Sequence, residues 1–220
     1  MLTVELINNN IPRLQLKDSV SKALRLVTDF RVTHLPVVED DKYLGLISEE
    51  DLIDAEETQM PIELMQETFI HAAVHDNEHF LNAVTCSNQF DTTVVPVVNE
   101  ENELTSTVSY NDLLKYASEF MSLNEPGGLI VLEMDSNQYS FNEISKLVET
   151  NDAQITQLNT SNDAENGMMQ VTIRINKPEI SDIIATFQRY EYNVKYFYGE
   201  EQYANELKSN YDNLMNYLKI

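Results

Sequence analysis

The chain of 220 residues is long enough for one or two domains, each with its own apolar core. Its 37 acidic and 14 basic residues leave a formal net charge of −23, which repels nucleic-acid phosphates and anionic lipids. Cys86 is the single cysteine, so an intrachain disulfide and a cysteine-based zinc site are excluded. The sequence shows neither a signal-peptide pattern nor a membrane-spanning apolar run, so we expect a cytoplasmic protein with no nucleic-acid or membrane partner.

Catalytic and cofactor motifs are missing from the sequence. Its five glycines form neither the GxGxxG pattern of a dinucleotide-binding Rossmann fold nor the GxxxxGK[ST] pattern of a P-loop. No Ser/His/Asp or Cys/His set can be named, so an enzyme, such as a small hydrolase, is the least favoured class. His71, His75 and His79 are four residues apart, but the strand-then-turn pattern around them keeps them off one face, and no metal site is predicted. His34 and Cys86 are predicted to be packing residues.

Residues 1–62 and 63–123 contain two copies of a repeat, offset by about 60 residues. Each copy is predicted to have the order strand–helix–strand–strand–helix. Neither copy could bury both faces of its sheet alone, so the two are predicted to pack as a pair. The elements of the first copy are a helix at 19–32, a strand at 35–38, a turn at 39–41, a strand at 43–47 and a helix from Ser48; those of the second are a helix at 80–90, a strand at 95–98, a turn at 99–102, a strand at 104–108 and a helix from Ser109.

Residues 124–128 include one proline and two glycines and are predicted to be a linker. A domain at 129–200 follows, with the βαββαβ order of a ferredoxin-like fold, and then an amphipathic C-terminal helix at 201–220. The chain as a whole is therefore predicted to be of the α+β class. The elements of this part are strands at 129–134, 153–158, 169–175 and 193–198, helices at 141–148 and 179–190 with Pro178 in the first turn of the latter, and the final helix at 202–218.

The two copies share a heptapeptide where the second helix begins. It is Gly45-Leu46-Ile47-Ser48-Glu49-Glu50-Asp51 in the first copy and Ser106-Thr107-Val108-Ser109-Tyr110-Asn111-Asp112 in the second. The pattern resembles the G-h-h-[ST]-x-x-[DN] signature of the CBS motif, named after cystathionine β-synthase, in which h is apolar. Residues 1–120 therefore resemble a tandem CBS pair, or Bateman module, and the element order of residues 129–200 resembles an ACT-type regulatory domain. The layout is that of the acetoin-utilisation type of small regulatory protein.

The resemblance implies a nucleotide site, because adenosine nucleotides occupy clefts between the two copies of a CBS pair. Ser48 and Asp51 would serve one cleft, and Ser109 and Asp112 the other. The unpaired N–H groups of a helix start favour phosphate, and a carboxylate has two oxygens to offer the ribose hydroxyls. The same spacing of serine and aspartate is also that of an ordinary helix N-cap, and both interpretations stay open.

Details of the heptapeptides modify this expectation. Gly45 would let a ligand approach the backbone closely in the first cleft, whereas Ser106 would crowd it in the second. Glu49 and Glu50 add negative charge beside the expected phosphate, which favours AMP or adenosine over ATP. In the ACT-like part, Tyr139 stands where amino-acid-binding ACT domains carry glycine, so a structural or dimer-forming role is favoured there.

These features predict a non-enzymatic, energy-sensing regulatory protein. It would bind AMP, ADP or ATP as a regulatory ligand, with no obligatory cofactor, and relay occupancy to a protein partner. The alternative is a structural dimerisation or scaffold module that has lost ligand binding. A homodimer is expected in either case, although the sheet of the ACT-like domain could itself cover the final helix. The apolar residues predicted to support association on the closing CBS helices are Leu52, Ile53, Leu113, Leu114 and Tyr116.

Overall fold

The structure is a computed structural model that describes residues 1–6, 11–164 and 166–199. It divides into two compact units, Met1–Ala117 and Ser118–Ile220, which we call the N-terminal and C-terminal units. The predicted α+β class is confirmed, as are the two βαββα copies and the antiparallel sheet domain that follows them. The final helix predicted at 201–220 lies outside the described residues.

Each copy in the N-terminal unit forms a three-stranded sheet with a short parallel strand beside an antiparallel pair. A 3₁₀ helix precedes each copy, Thr3–Leu6 for the first and Ile62–Thr68 for the second, and we call these the first and second leaders. The elements of the first copy are β1 (Leu14–Gln15), α1 (Val20–Phe30), β2 (His34–Glu39), β3 (Lys42–Ser48) and α2 (Glu49–Ile53); those of the second are β4 (Val74–His75), α3 (Phe80–Phe90), β5 (Val94–Val98), β6 (Leu104–Ser109) and α4 (Tyr110–Phe120).

The two leaders pack crosswise. The Thr3 amide donates to the carbonyl of Glu78 in the second copy at 2.8 Å, and the Ile62 amide donates to the carbonyl of Asp18 in the first copy at 2.9 Å. These bonds are related by the repeat, so each leader covers the turn before the main helix of the other copy. The two copies consequently share one continuous core. The predicted boundary between residues 62 and 63 falls inside the second leader, and the domain limits stay a prediction.

Small residues and apolar strands explain how each helix reaches its sheet. Ala23 in α1 and Ala83 in α3 occupy equivalent positions and are completely buried, which allows close approach of helix and sheet. The central strands β2 and β5 have neighbours on both sides, so their apolar runs are buried almost throughout. The predictions that His34 and Cys86 are packing residues are confirmed, because both are buried.

The C-terminal unit is a four-stranded antiparallel sheet with two helices, in the ferredoxin-like topology predicted from the element order. Its strands lie in the order β10-β7-β9-β8. Val171, Ile173 and Ile175 alternate along β9 and are all buried, as the apolar spacing predicts. The elements are β7 (Gly128–Met134), α5 (Phe141–Glu149), β8 (Ile155–Asn162), β9 (Met169–Ile175), α6 (Ser181–Arg189) and β10 (Asn193–Tyr198).

Three details of this unit differ from the prediction. Strand β8 extends to Asn162, whereas the predicted strand ended at residue 158, and the other two differences concern Pro178 and Gly128. Helix α6 begins at Ser181, so Pro178 precedes the helix instead of lying in its first turn. Ile180 is the N-cap residue of α6, and its buried side chain packs against Gly128. A Cβ on Gly128 would lie 2.2 Å from Ile180 Cγ2. Gly128 was predicted to belong to a linker and is instead the first residue of β7, where glycine permits this close approach.

Candidate functional site

Helices α2 and α4 begin with the same hydrogen-bond geometry. The Asp51 amide donates to Ser48 Oγ at 3.0 Å, and Ser48 Oγ donates to Asp51 Oδ2 at 2.5 Å. In the second copy the Asp112 amide donates to Ser109 Oγ at 3.1 Å, and Ser109 Oγ donates to Asp112 Oδ2 at 2.5 Å. The N-cap interpretation therefore holds at both positions, and it presents a partly exposed carboxylate at each helix start.

The charge at the two helix starts differs. The first turn of α2 carries Glu49, Glu50 and Asp51, whereas that of α4 carries Asp112 as its acidic residue. Helix α2 has 5 residues and α4 has 11, so α4 aligns more peptide dipoles toward its N-terminus. An anionic group is therefore repelled less at the second helix start than at the first.

Gly45 lies in β3, opposite Val37 of β2. A Cβ at this position would lie 2.8 Å from Phe69 Cβ and 3.3 Å from the carbonyl oxygen of Ile70. The amide and carbonyl groups of Leu46 and Ile70 bond each other at 2.8 and 2.9 Å, which holds the chain after the second leader against the edge of β3. The close approach of two protein segments thus accounts for the glycine in the first copy.

Ser106 occupies the corresponding position in the second copy, where it borders an open space. Residues 11–13 and 104–107 line a half-open cavity of about 380 Å³, which we call cavity 1. Ser106 is 5% exposed, and its hydroxyl has no hydrogen-bond partner among the described residues. The cavity shows that the serine leaves room beside the strand.

Arg13 stands on the wall of cavity 1 and was not singled out by any motif. Its Nη1 lies 2.9 Å from Asp41 Oδ1, and the two side chains are 47% and 64% exposed. It is the one charged residue among the described residues that line this cavity. Residue 13 lies beside β6 only in the folded chain. The sequence alone therefore contained no motif that marks Arg13 as a cavity residue, and its positive charge was its one visible feature.

Side chains at the seam between the two copies meet close to the first helix start. Thr33 Oγ1 and Thr93 Oγ1 are 2.9 Å apart, and Thr33 Oγ1 is 2.9 Å from His34 Nδ1. Burial lowers the pKa of His34, while the negative charges of Asp91 and Asp51 act to raise it. The negative charge of Asp51 therefore acts on His34, which lies at the seam between the two copies.

Two further cavities have acidic residues on their walls. Cavity 2, of about 650 Å³, lies beside α3 and α4 and includes Asp91. Cavity 3, of about 490 Å³, lies in the C-terminal unit and includes Glu133, Glu143 and Glu191. The predicted site residues, Gly45, Ser48, Asp51, Ser109 and Asp112, line none of these three cavities.

Other predicted features have simple structural surroundings. Tyr139 follows the 3₁₀ helix Ser136–Gln138, and the Asp135 amide donates to Gln138 Oε1 at 3.2 Å, so side-chain capping takes the place of a glycine turn.

Within the described ranges, no group of three or more His, Cys, Asp or Glu side chains could hold a metal ion. No helix of the described part of the chain is long and apolar enough to cross a membrane.

Comparison with known proteins agrees with the architecture. The CBS domain family model matches residues 4–57. A homoserine O-acetyltransferase from Methanobrevibacter ruminantium is 24% identical over 119 residues, which are 53% of this chain and 24% of that protein. The chain thus spans about a quarter of the length of the curated relative it matches.

A solved structure shows the same fold for the part of the chain that aligns with it. A CBS domain pair/ACT domain protein from Thermotoga maritima is 20% identical, with a TM-score of 0.50, over 55% of this chain and 98% of that one. A protein assigned to acetoin utilization from Vibrio cholerae is 18% identical, with a TM-score of 0.49, over 56% of this chain and 95% of that one. Residues 4–57 match the CBS domain family, the N-terminal unit has the fold of a CBS-domain pair, and an additional C-terminal domain follows it in the chain.

Proposed function

We propose that this chain is a non-enzymatic regulatory protein whose CBS pair binds an adenine nucleotide. The observation that carries the proposal is the duplicated helix start, in which Ser48 and Asp51 repeat the geometry of Ser109 and Asp112. An ordinary N-cap needs only the serine, whereas a carboxylate at the same place in both copies can also accept the two ribose hydroxyls. The acetyltransferase activity of the relative is not transferred, since the match spans a quarter of that protein.

The second copy is the better supported site. Strand β6 runs from the wall of cavity 1 to Ser109, and Thr107 and Ser109 are separated by roughly 7 Å along a strand. A nucleoside bound by Asp112 would therefore extend toward an existing cavity. The equivalent edge of the first copy is covered by the chain at Ile70, and its helix start carries two additional glutamates. The negative field favours AMP over ATP unless a cation accompanies the triphosphate.

The test is thermal melting of the full chain with AMP, ADP, ATP and S-adenosylmethionine. At a hundredfold excess over Kd, one bound ligand should stabilise the protein by about 2.7 kcal/mol, which raises Tm by several degrees. Asp112→Asn should remove most of the shift and keep the cap, because an amide oxygen still accepts from Ser109. The matched control is Asp54→Asn at the end of α2, which should shift like the wild type. An unchanged melt with every adenine compound would refute nucleotide binding.

A second candidate function is that of a dimerisation module. The observation that favours it is the exposure of large apolar side chains on the closing helices of the two copies, with Ile53 65% and Leu114 59% exposed. Leu52 and Leu113, which were predicted to support association, are instead buried in the core of the chain itself. A dimer that forms equally well with and without nucleotide, together with a flat thermal melt, would favour this second function.

A further inference from the structure

Helices α5 and α6 cover one face of the sheet in the C-terminal unit, and we call the opposite face the open face. The residues of β7 that belong to the core beneath the helices alternate with Leu129 and Val131, which therefore point to the open face. In the register of the sheet, Leu129 lies opposite Tyr198 of β10, and Val131 lies opposite Tyr196. Directly paired residues share a face, so these four form one apolar patch, which we call the tyrosine patch. The residues on the β9 and β8 half of the open face are polar or charged: Gln157, Asn159, Ser161, Gln170, Thr172 and Arg174.

A β-bulge in β10 turns the two tyrosines toward the open face. Val194 and Phe197 of this strand pack against the core on the helix side. A regular strand would place residues 194, 196 and 198 on one face, but the register shifts between Val194 and Tyr196, where Lys195 is the additional residue. Tyr196 and Tyr198 are consequently 43% and 63% exposed, with their ring centroids 5.9 Å apart. Much of their apolar surface is thus in contact with water, which favours an occupant that covers it.

The charge of the chain limits what can cover the tyrosine patch. Aromatic side chains on a sheet can stack on nucleic-acid bases, but a net charge of −23 repels the phosphates. A second copy of the sheet would bring the same net charge to the contact, and like charges oppose association. The favoured occupant is therefore an apolar segment with little net charge of its own.

Residues 201–220 match this description. Their side chains carry three negative and two positive charges, so the segment is almost neutral in a strongly acidic chain. A helix of residues 202–218 would be about 25 Å long, and a strand of seven residues such as β7 is about 23 Å long. Five large apolar residues recur at helical spacing and would form one stripe along the whole of that length. The members of the stripe are Tyr203, Leu207, Tyr211, Leu214 and Leu218.

The segment begins next to the tyrosine patch. Tyr198 is the last residue of β10, and the four residues that follow it reach at most about 14 Å, enough to pass from the edge strand onto the open face. A tether this short gives an effective concentration in the millimolar range, so the segment reaches the patch before a second copy does. We propose that residues 202–218 fold as an amphipathic helix onto the tyrosine patch of their own sheet and close the open face to a second copy. Association of two chains is thereby confined to other surfaces, such as the exposed apolar side chains of α2 and α4.

The experiment is hydrogen exchange of the full chain, read by mass spectrometry of peptides from the last twenty residues. The wild type should protect the amides of residues 203–218. Tyr196→Ser on the sheet and Leu207→Gln on the segment should each accelerate this exchange about tenfold or more, because each removes a large apolar side chain from the contact.

Two variants are matched controls. Asn159→Ser changes an exposed residue of the same face on the opposite edge strand, β8. Asn205→Gln changes a residue on the side of the proposed helix away from the stripe. Both should exchange like the wild type. Exchange in β9, at the centre of the sheet, should stay unaltered in all four variants, and if Tyr196→Ser loosens the sheet itself, Leu207→Gln carries the test.

Three outcomes would overturn the proposal. Unprotected amides at residues 203–218 of the wild type would show that no helix forms there. Protection that survives Leu207→Gln would show that the stripe is not the contact. Protection that falls on dilution across the micromolar range would assign the contact to a second copy instead of the same chain. Because the test contains no nucleotide, its failure would leave nucleotide binding by the CBS pair untouched.

Discussion

Arg31 ends α1 in the left-handed region, with φ 53°, and its amide bonds to the carbonyl of Val27. A glycine adopts this conformation without steric cost, whereas another residue loses roughly 1 kcal/mol. Arg31→Gly should therefore raise the free energy of unfolding by about 0.5 kcal/mol, since the added entropy of the unfolded chain offsets part of the gain. Urea denaturation measures the change. Asp29→Gly, inside α1, is the control and should lower stability by about 1 kcal/mol; a loss of stability in Arg31→Gly would contradict the argument.

His34 should make the stability of the N-terminal unit depend on pH. Burial lowers its pKa from the ordinary value of 6.5, with Asp91 and Asp51 opposing the shift, so the folded state favours the neutral ring. The contribution is fully present above pH 6.5 and is lost as pH falls through the lower folded pKa. The Tm of the wild type minus that of His34→Gln should therefore decrease as the pH is lowered from about 7.5 to 5. Parallel pH curves for wild type and His34→Gln would contradict the assignment.

At the level of elements, the start of β7 depends on the absence of a side chain at residue 128. Gly128→Ala would bring a methyl group within 2.2 Å of Ile180 Cγ2, so strand and loop must separate. The expected loss is about 1–3 kcal/mol in the free energy of unfolding. Ile180→Ala makes room, and the double variant should therefore be less destabilised than the sum of the two single variants. Additive losses would show that the two residues do not interact as described.

The leaders connect the stability of one copy to that of the other. Thr3 is completely buried, and its hydroxyl donates to the carbonyl of His75 in the second copy. Thr3→Val keeps the shape and removes this bond, at an expected cost of about 1–2 kcal/mol. Because the copies share one core, hydrogen exchange should accelerate in β2 as well as in β5. Thr28→Val, at an exposed helical position, is the control; acceleration confined to β5 would show that the copies open independently.

At the scale of the whole molecule, we expect a homodimer through the exposed apolar side chains of α2 and α4. Leu114→Glu should reduce the mass measured by light scattering from twice 25.3 kDa to 25.3 kDa. Leu64→Glu changes a leucine that is 70% exposed on the second leader and should leave the dimer intact. Like charges on the two protomers repel, so association should strengthen with salt. A monomeric wild type at micromolar concentration would refute the dimer.

Much of the architecture could be predicted from the sequence because its signals act between near neighbours. Apolar runs predict the buried strands β2 and β5, and serines followed by aspartates predict the starts of α2 and α4. The order of elements after residue 128 was sufficient for the ferredoxin-like topology. The repeat strengthened each assignment, because a pattern that is weak by itself becomes specific when it occurs at equivalent positions of both copies.

Only the tertiary structure decided the features that depend on residues far apart in the chain. Gly45 is explained by the approach of Phe69, and Gly128 by that of Ile180, neither of which a local pattern contains. The sequence alone likewise could not place Arg13 beside Ser106, because residues 11–13 meet β6 only through the packing of the two copies. Local propensity acts over a few residues, whereas close packing and a cavity wall are properties of segments brought together by the shared core.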